Sequence, residues 1–251
     1  MHKLDSIDYA GHGDPMQCLD AYLPEEKGFD TLIYMHGGGL ERGDRNKCQK
    51  LLPLVEKNIA VVSPEYRMFP SAKFPEFIED AAVCVRFVLD HVKEWGGNGR
   101  VFVSGGSAGA WLTMMLAMDT HYLENAGVKQ SDIAGYISES AQQFAHFAVM
   151  NYSGQDGRLE RIDETAPIYF VREGMEMRPM FLIWYTNDMW CRPEENRLMK
   201  ASLERFLRPD GVLDALELTG KHCKPERPEE LLAAFEKFIH KEENHEQVQR
   251  L

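Results

Sequence analysis

A mostly parallel, doubly wound α/β sheet with helices on both faces is the fold class that this 251-residue sequence predicts. Three observations predict it. Apolar runs of strand length alternate with helix-length segments along the chain, the order that builds βαβ units. Two glycine-rich turns, His36-Gly37-Gly38-Gly39 and Gly105-Gly106-Ser107-Ala108-Gly109, each follow directly on an apolar run. The length suits one α/β domain over residues 1–251 with a core of useful size, and no internal repeat or linker-like shift in composition divides it.

Strands are expected near residues 17–23, 30–35, 59–63, 100–104, 133–138, 179–185 and 213–218, and helices over 44–57, 75–94, 108–118, 193–207 and 228–241. Leu19-Asp20-Ala21-Tyr22-Leu23-Pro24 opens the pattern. Thr31-Leu32-Ile33-Tyr34-Met35 reads as a buried strand, and Val101-Phe102-Val103 precedes the second glycine turn. The apolar stretch Ala108 to Leu116 that follows is too long for a typical strand and reads as a helix. Met180 to Tyr185 is another apolar strand, and Leu216-Glu217-Leu218-Thr219-Gly220 ends the last one. Arg192-Pro193-Glu194-Glu195 starts a helix, because proline suits the first turn and carboxylates favour the positive N-terminus. Between Glu139 and Met177 the alternation is interrupted by about forty residues, too few for an independent domain, and this stretch reads as a short cap or specificity segment. Residues 242–251 are polar and are expected to fray.

The second glycine turn carries the chemistry. A serine on a tight strand-to-helix turn is held in a strained backbone conformation with its hydroxyl exposed, and the small residues Gly105 and Gly109 on either side permit the crowding. Ser107 is therefore the expected nucleophile, and removal of its hydroxyl is expected to relieve strain. An acyl-transfer enzyme must also stabilise an oxyanion, usually with backbone N–H donors. Glycines let such amides approach a substrate closely. The expected donors are the amides of Gly38, Gly39 and Ala108.

These segments resemble the α/β-hydrolase superfamily, and within it the hormone-sensitive-lipase-like and kynurenine-formamidase-like esterase branch. Leu19 to Pro24 resembles the family's first strand, His36 to Asp44 its oxyanion loop, and Pro64-Glu65-Tyr66-Arg67 with Phe74-Pro75 and Glu79-Asp80-Ala81 the segment after its fourth strand. Leu40 stands where the family more often has an aromatic residue, which implies a wider wall of the acyl pocket. In this fold the nucleophile is followed along the chain by the acid and then the histidine. Asp188, at the end of the strand Met180 to Tyr185, is thus the expected acid, with Glu194 and Glu195 as fallbacks that otherwise serve the helix N-terminus. His222, just beyond the last strand, is the expected base, flanked by Lys221 and Cys223 rather than by small or aromatic residues. His146 remains a weaker competitor because it lies in the cap segment.

Gln143, Phe144, Phe147 and Tyr152 in that segment are the expected pocket residues with Leu40, although Phe144, Phe147 and Met150 could equally pack a helix onto the core. Polar residues interleave with the aromatics there, which suits a small acyl group on a polar or aromatic alcohol. Asp188, Cys191, His222 and Cys223 offer zinc-binding atoms, but without the usual ligand spacing; no metal or cofactor is expected. A formal charge of −12 argues against a nucleic-acid partner. No signal-like N-terminus or apolar membrane-length stretch is evident. Five scattered cysteines suit free thiols in a cytoplasmic enzyme. The function expected is a serine hydrolase of small or medium acyl esters, its partner a small-molecule ester, with homo-oligomerisation left open. An arylformamidase using the same residues, and a hydrolase-fold binding protein without activity, are the alternatives.

Overall fold

The computed structural model describes residues 1–208 and 211–249, with side chains described to Lys241. Its strands are β1 (His2–Asp8), β2 (Cys18–Leu23), β3 (Phe29–Met35), β4 (Ile59–Pro64), β5 (Gly97–Gly106), β6 (Gly135–Glu139), β7 (Met180–Asn187), β8 (Leu213–Lys221) and β9 (Lys224–Pro225). They form one sheet in the order β1-β2-β4-β3-β5-β6-β7-β8-β9. From β4 to β8 every pairing is parallel, while β1, β2 and β9 pair antiparallel at the two ends. The helices are α1 (Glu76–His91), α2 (Ala108–Met118), α3 (His121–Asn125), α4 (Phe147–Tyr152), α5 (Arg192–Phe206) and α6 (Pro228–Gln249).

Each strand expected from the sequence is present, and the differences have physical causes. Residues 44–57 form a 3₁₀ helix, Arg45–Lys57, rather than an α-helix. Pro53 lies inside it, where a proline has no N–H to give and crowds the carbonyl of the preceding turn. The edge strand β1 is mostly exposed and carries no apolar run, so only its pairing with β2 makes it a strand. Helix α6 continues to Gln249 through part of the segment expected to fray; residues 250 and 251 lie outside the described residues.

One face of the sheet is covered by α1, α2 and α5, the other by Arg45–Lys57 and α6. Helix α2 is buried along its whole length. A helix that is apolar all round needs cover on every side, and the cap segment supplies one of those sides. The indole of Trp111 on α2 packs edge-on against Phe77 and donates to the carbonyl of Thr165 in the cap at 3.2 Å. Truncating such a fully buried tryptophan to alanine costs about 3–5 kcal/mol.

The chain direction reverses its order around β3, which has β4 on one side and β5 on the other. Loops leaving the C-terminal ends of β3 and β5 therefore diverge and open a crevice between them, where open α/β sheets bind ligands. Met35 pairs with Gly105 at that edge, so both glycine turns emerge side by side.

Candidate active site

Ser107 sits between β5 and α2 with φ 57° and ψ −117°, outside the regions that side chains ordinarily adopt. Its amide donates to the carbonyl of Glu139 at 2.8 Å, tying the turn to the end of β6. The flanking glycines are required by contact: a Cβ on Gly109 would stand 2.0 Å from the carbonyl oxygen of Met35, and one on Gly105 would meet the carbonyl of Gly109 at 2.3 Å.

Ser107, His222 and Asp188 are joined by hydrogen bonds. Nε2 of His222 lies 2.7 Å from Oγ of Ser107, and Nδ1 of the same ring bonds to Oδ1 of Asp188. The Asp188 carboxylate is wholly shielded from solvent, whereas the imidazole is partly open. Burial alone would raise the Asp188 pKa; the hydrogen bonds from His222 and Ser140 outweigh it and hold the carboxyl below its ordinary range. A buried, ionised acid behind an imidazole that faces a hydroxyl can orient the ring and balance the charge that forms when the hydroxyl proton is taken.

The His36–Gly39 turn packs directly on this elbow. A Cβ on Gly37 would lie 2.7 Å from the carbonyl of Gly106. The turn is anchored behind by Tyr66, whose ring stacks on His36 at 4.4 Å and whose hydroxyl donates to the His36 carbonyl at 2.8 Å. Nε2 of His36 also approaches Glu65 at 3.3 Å, out of line for a hydrogen bond. Gly38 and Gly39 have φ of 146° and 69°, and among the described residues nothing accepts from their amides. Ala108 opens α2, so its N–H is one of the helix donors left without an intrahelical partner.

Beside the turn lies a pocket of about 500 Å³. Phe147 forms one wall and lies against Gly39, 3.2 Å from where a Cβ would be. Met189 and Trp190, which follow Asp188, form another, and Arg192, Glu195 and Gln142 close it. Of the expected pocket residues, Phe147 alone lines this space. Leu40 is wholly buried in the core and presents no pocket wall. Gln143 is also wholly buried; its amide donates to Glu195 and its Nε2 to Asn196. Phe144 donates its amide to the same Glu195 oxygen. Tyr152 stacks on Phe69, accepts from the amide of Phe74 and lines a separate cleft with Arg161 and Thr165.

Comparisons with known proteins bear on the family and the fold. Residues 19–157, more than half of the chain, match the BD-FAE family. The chain belongs to the BD-FAE family. Esterase LipI of Mycobacterium tuberculosis is 33% identical over 99 residues, which are 38% of this chain and 30% of that protein. The probable isoprenylcysteine alpha-carbonyl methylesterase ICMEL2 of Arabidopsis thaliana is 30% identical over 126 residues, 49% of this chain and 29% of its relative. The matched stretch thus spans about 30% of the length of these curated relatives. Among solved structures, esterase B from Lactobacillus rhamnosis superposes with a TM-score of 0.81 at 20% identity over 99% of this chain and 88% of its own. A butyrate-bound esterase, Est2 of Thermogutta terrifontis, superposes with a TM-score of 0.70 at 18% identity, covering 96% and 92%. The fold is that of the α/β-hydrolases.

Several residues of this BD-FAE site escape sequence reasoning. Ser140, in left-handed backbone at φ 58°, donates to Oδ2 of Asp188 at 2.7 Å and so holds that carboxylate from behind. Glu139 is fully buried beneath Gly106; Lys50 contacts both of its oxygens at 2.7 and 2.5 Å, and Tyr185 donates to Oε1 at 2.6 Å. Cys223 lies by the same carboxylate, and burial, aided by Glu139, pushes its thiol up to about 12. The available signal was position: Ser138-Glu139-Ser140 ends a strand at the crevice edge of the sheet.

Other candidates fall away from the centre. Glu194 is exposed near Arg197. Glu195 is buried and does more than favour a helix end, because its Oε2 accepts from the Gln143 and Phe144 amides at 2.6 and 3.2 Å. Neither acid bonds to His222. His146 caps α4 by accepting from the Ala148 amide, and burial, reinforced by Arg192, lowers its pKa to about 3. It is a neutral ring packed between Trp111 and Phe147. Among the described residues no group of three His, Cys, Asp or Glu side chains is placed to hold a metal, and no helix is long and apolar enough to cross a membrane.

Proposed function

We propose that this chain is a serine hydrolase of carboxylic esters with small or medium acyl groups. The observation that carries the reading is the unbroken hydrogen-bonded series Ser107–His222–Asp188 beside the amides of Gly38 and Gly39, which have no acceptor among the described residues. Ser107 attacks the acyl carbonyl while His222 takes its proton, and Asp188 stabilises the imidazolium. The amides of Gly38, Gly39 and Ala108 hold the oxyanion. His222 returns the proton to the leaving alcohol, and water repeats the sequence on the acyl-enzyme to release the acid. Each step is carried by these side chains and amides without a metal or cofactor, by the whole chain acting as one catalytic unit in the cytoplasm.

Names among the relatives support esters over formamides, since LipI and the matching Salmonella proteins are called an esterase and acetyl esterases. The walls of the pocket support a small acyl group. Phe147 closes it at the oxyanion turn, and the polar groups of Gln142, Asn151 and Glu160 interrupt its apolar walls. Each methylene buried on an apolar surface would add about 0.8 kcal/mol, so a long apolar groove would be evident in the substrate profile. The kcat/KM on 4-nitrophenyl esters is expected to peak between acetyl and butyryl and to decline by octanoyl, and the Ser107→Ala variant to have no turnover. A profile still rising at decanoyl overturns the small-acyl reading. Preference for N-formylkynurenine over acetyl esters overturns the ester reading, and wild-type protein inert toward both returns the chain to a binding role.

A further inference from the structure

Arg192 is the feature that the proposed reaction leaves unused. It opens α5 at the inner wall of the pocket beside Phe147, yet only 4% of the residue is exposed. Its Nε is sealed from solvent and has no hydrogen-bond partner, and the guanidinium makes no ion pair among the described residues. Desolvating a guanidinium is costly, and the cost is ordinarily offset by a full set of acceptors. Here neither carboxylate that lines the pocket bonds to it among the described residues. Glu195, one turn along α5, has given Oε2 to the amides of Gln143 and Phe144. Glu160, the other carboxylate of the pocket, faces the Cys191 thiol instead. The N-terminal turn of α5 has no side-chain cap, which adds the positive end of a helix to the same corner.

We propose that the pocket is a subsite for a carboxylate carried by the substrate, with Arg192 as the residue that reads it. The inference rests on the ester-hydrolase reading and deepens it. A planar guanidinium presents parallel N–H donors that match the two oxygens of a carboxylate, a geometry that a lone hydroxyl does not fill. The location fits one molecule covering both places. Phe147 is shared between the pocket and the oxyanion turn, and Met189, which also lines the pocket, donates its amide to the Asp188 carboxylate at 2.7 Å. Trp190, 85% exposed, stands at the pocket rim, where it can cover the apolar body of such a substrate.

The test compares matched esters. Mono-4-nitrophenyl succinate against 4-nitrophenyl butyrate puts the carboxylate on the acyl side; 3-acetoxybenzoate and 4-acetoxybenzoate against phenyl acetate put it on the alcohol side. The expected result is a kcat/KM at least tenfold above the neutral partner for one of the anionic esters, reduced by added salt. In Arg192→Gln that ratio falls to about one, whatever happens to the absolute rate, and Arg192→Lys recovers part of it. A ratio near one in the wild type, a ratio that survives Arg192→Gln, or an Arg192-dependent preference for a neutral sugar acetate instead overturns the proposal. Calorimetric titration of the wild-type protein with succinate and benzoate, against succinamide and benzamide, reads the subsite without catalysis or any variant. Acid-selective binding supports the subsite even if no ester is cleaved, which would defeat the hydrolase reading alone. Equal binding of acids and amides, with neutral esters turned over normally, defeats the subsite alone.

Discussion

Replacing Ser107 by glycine and by alanine separates the strain at the elbow from its chemistry. The backbone there, at φ 57° and ψ −117°, lies where a Cβ clashes with its own peptide neighbours, and such positions cost about 1–3 kcal/mol each. The strain belongs to the Cβ and not to the hydroxyl, so the expectation that loss of the hydroxyl relieves it does not follow from the observed geometry. Ser107→Ala keeps the Cβ and keeps the strain. Ser107→Gly removes it and gives back about 0.5–1 kcal/mol in unfolded-chain entropy. Both variants lose the 2.7 Å contact with His222, so that loss cancels between them. The glycine variant is therefore more stable than the alanine variant by about 1 kcal/mol, or about 2–4 °C in Tm for a chain of this size. Both should fall by a factor of order 10⁶ in kcat, the usual consequence of removing a triad nucleophile. Urea unfolding at 25 °C followed by far-ultraviolet circular dichroism measures the stability difference, and 4-nitrophenyl acetate the activity. Equal stabilities, or an alanine variant the more stable of the two, would refute a strained elbow. Substantial residual turnover in either variant would refute Ser107 as nucleophile.

Asp188→Asn should reduce kcat by about 10⁴, because an amide neither fixes the tautomer of His222 nor balances its charge, whereas Glu194→Gln leaves the rate nearly intact; steady-state kinetics on one ester distinguishes the two. Ser140→Ala removes a hydrogen bond to that carboxylate, worth about 1.5–3 kcal/mol, and should lower kcat by about ten- to a hundredfold with KM little changed. Glu195 gives a pH signature: desolvation, partly opposed by Arg192, raises its carboxyl from 4.5 to about 7 on folding. Its contribution to stability is thus fully present below about pH 4.5 and is lost as the pH rises through 7, amounting to about 3 kcal/mol at 1.36 kcal/mol per decade. Urea midpoints of Glu195→Gln should accordingly be flatter between pH 5 and 8 than those of the wild type, and parallel curves would contradict the shift. Gly109→Ala drives a methyl to 2.0 Å from a backbone oxygen of Met35 that cannot yield, so soluble expression and Tm should both drop sharply.

The legible part of this fold is the part whose cause is local. Strands β3, β5 and β7 are apolar runs because parallel strands are buried on both faces, and the elbow is written in the residue types that a strained turn tolerates. Arg45–Lys57 shows the limit of the same reasoning, because apolar spacing marks a helix but not whether it winds as an α or a 3₁₀ helix. Strand β1 shows another limit: its seven residues carry no burial pattern of their own, and the free edge of β2 defines them.

The candidate site divides along the same line. Ser107, Asp188 and His222 each follow a strand, and fold topology brings strand ends together, so chain order sufficed to nominate them. Their supports depend on pairing that no sequence window contains. Register opposite Gly106 puts Glu139 beneath the Ser107 turn, and Lys50 reaches it from a helix 89 residues away in sequence. Arg192 and Glu195 illustrate the point at closer range. Three residues apart on one helix, they share a face, and spacing alone would pair them. The cap segment intervenes: the amides of Gln143 and Phe144 bond to Oε2 of the carboxylate, and among the described residues the guanidinium has no hydrogen-bond acceptor. Helix spacing fixes which side chains can meet, but a third element decides whether they bond, and here the cap amides take an oxygen of Glu195 that spacing alone would offer to Arg192.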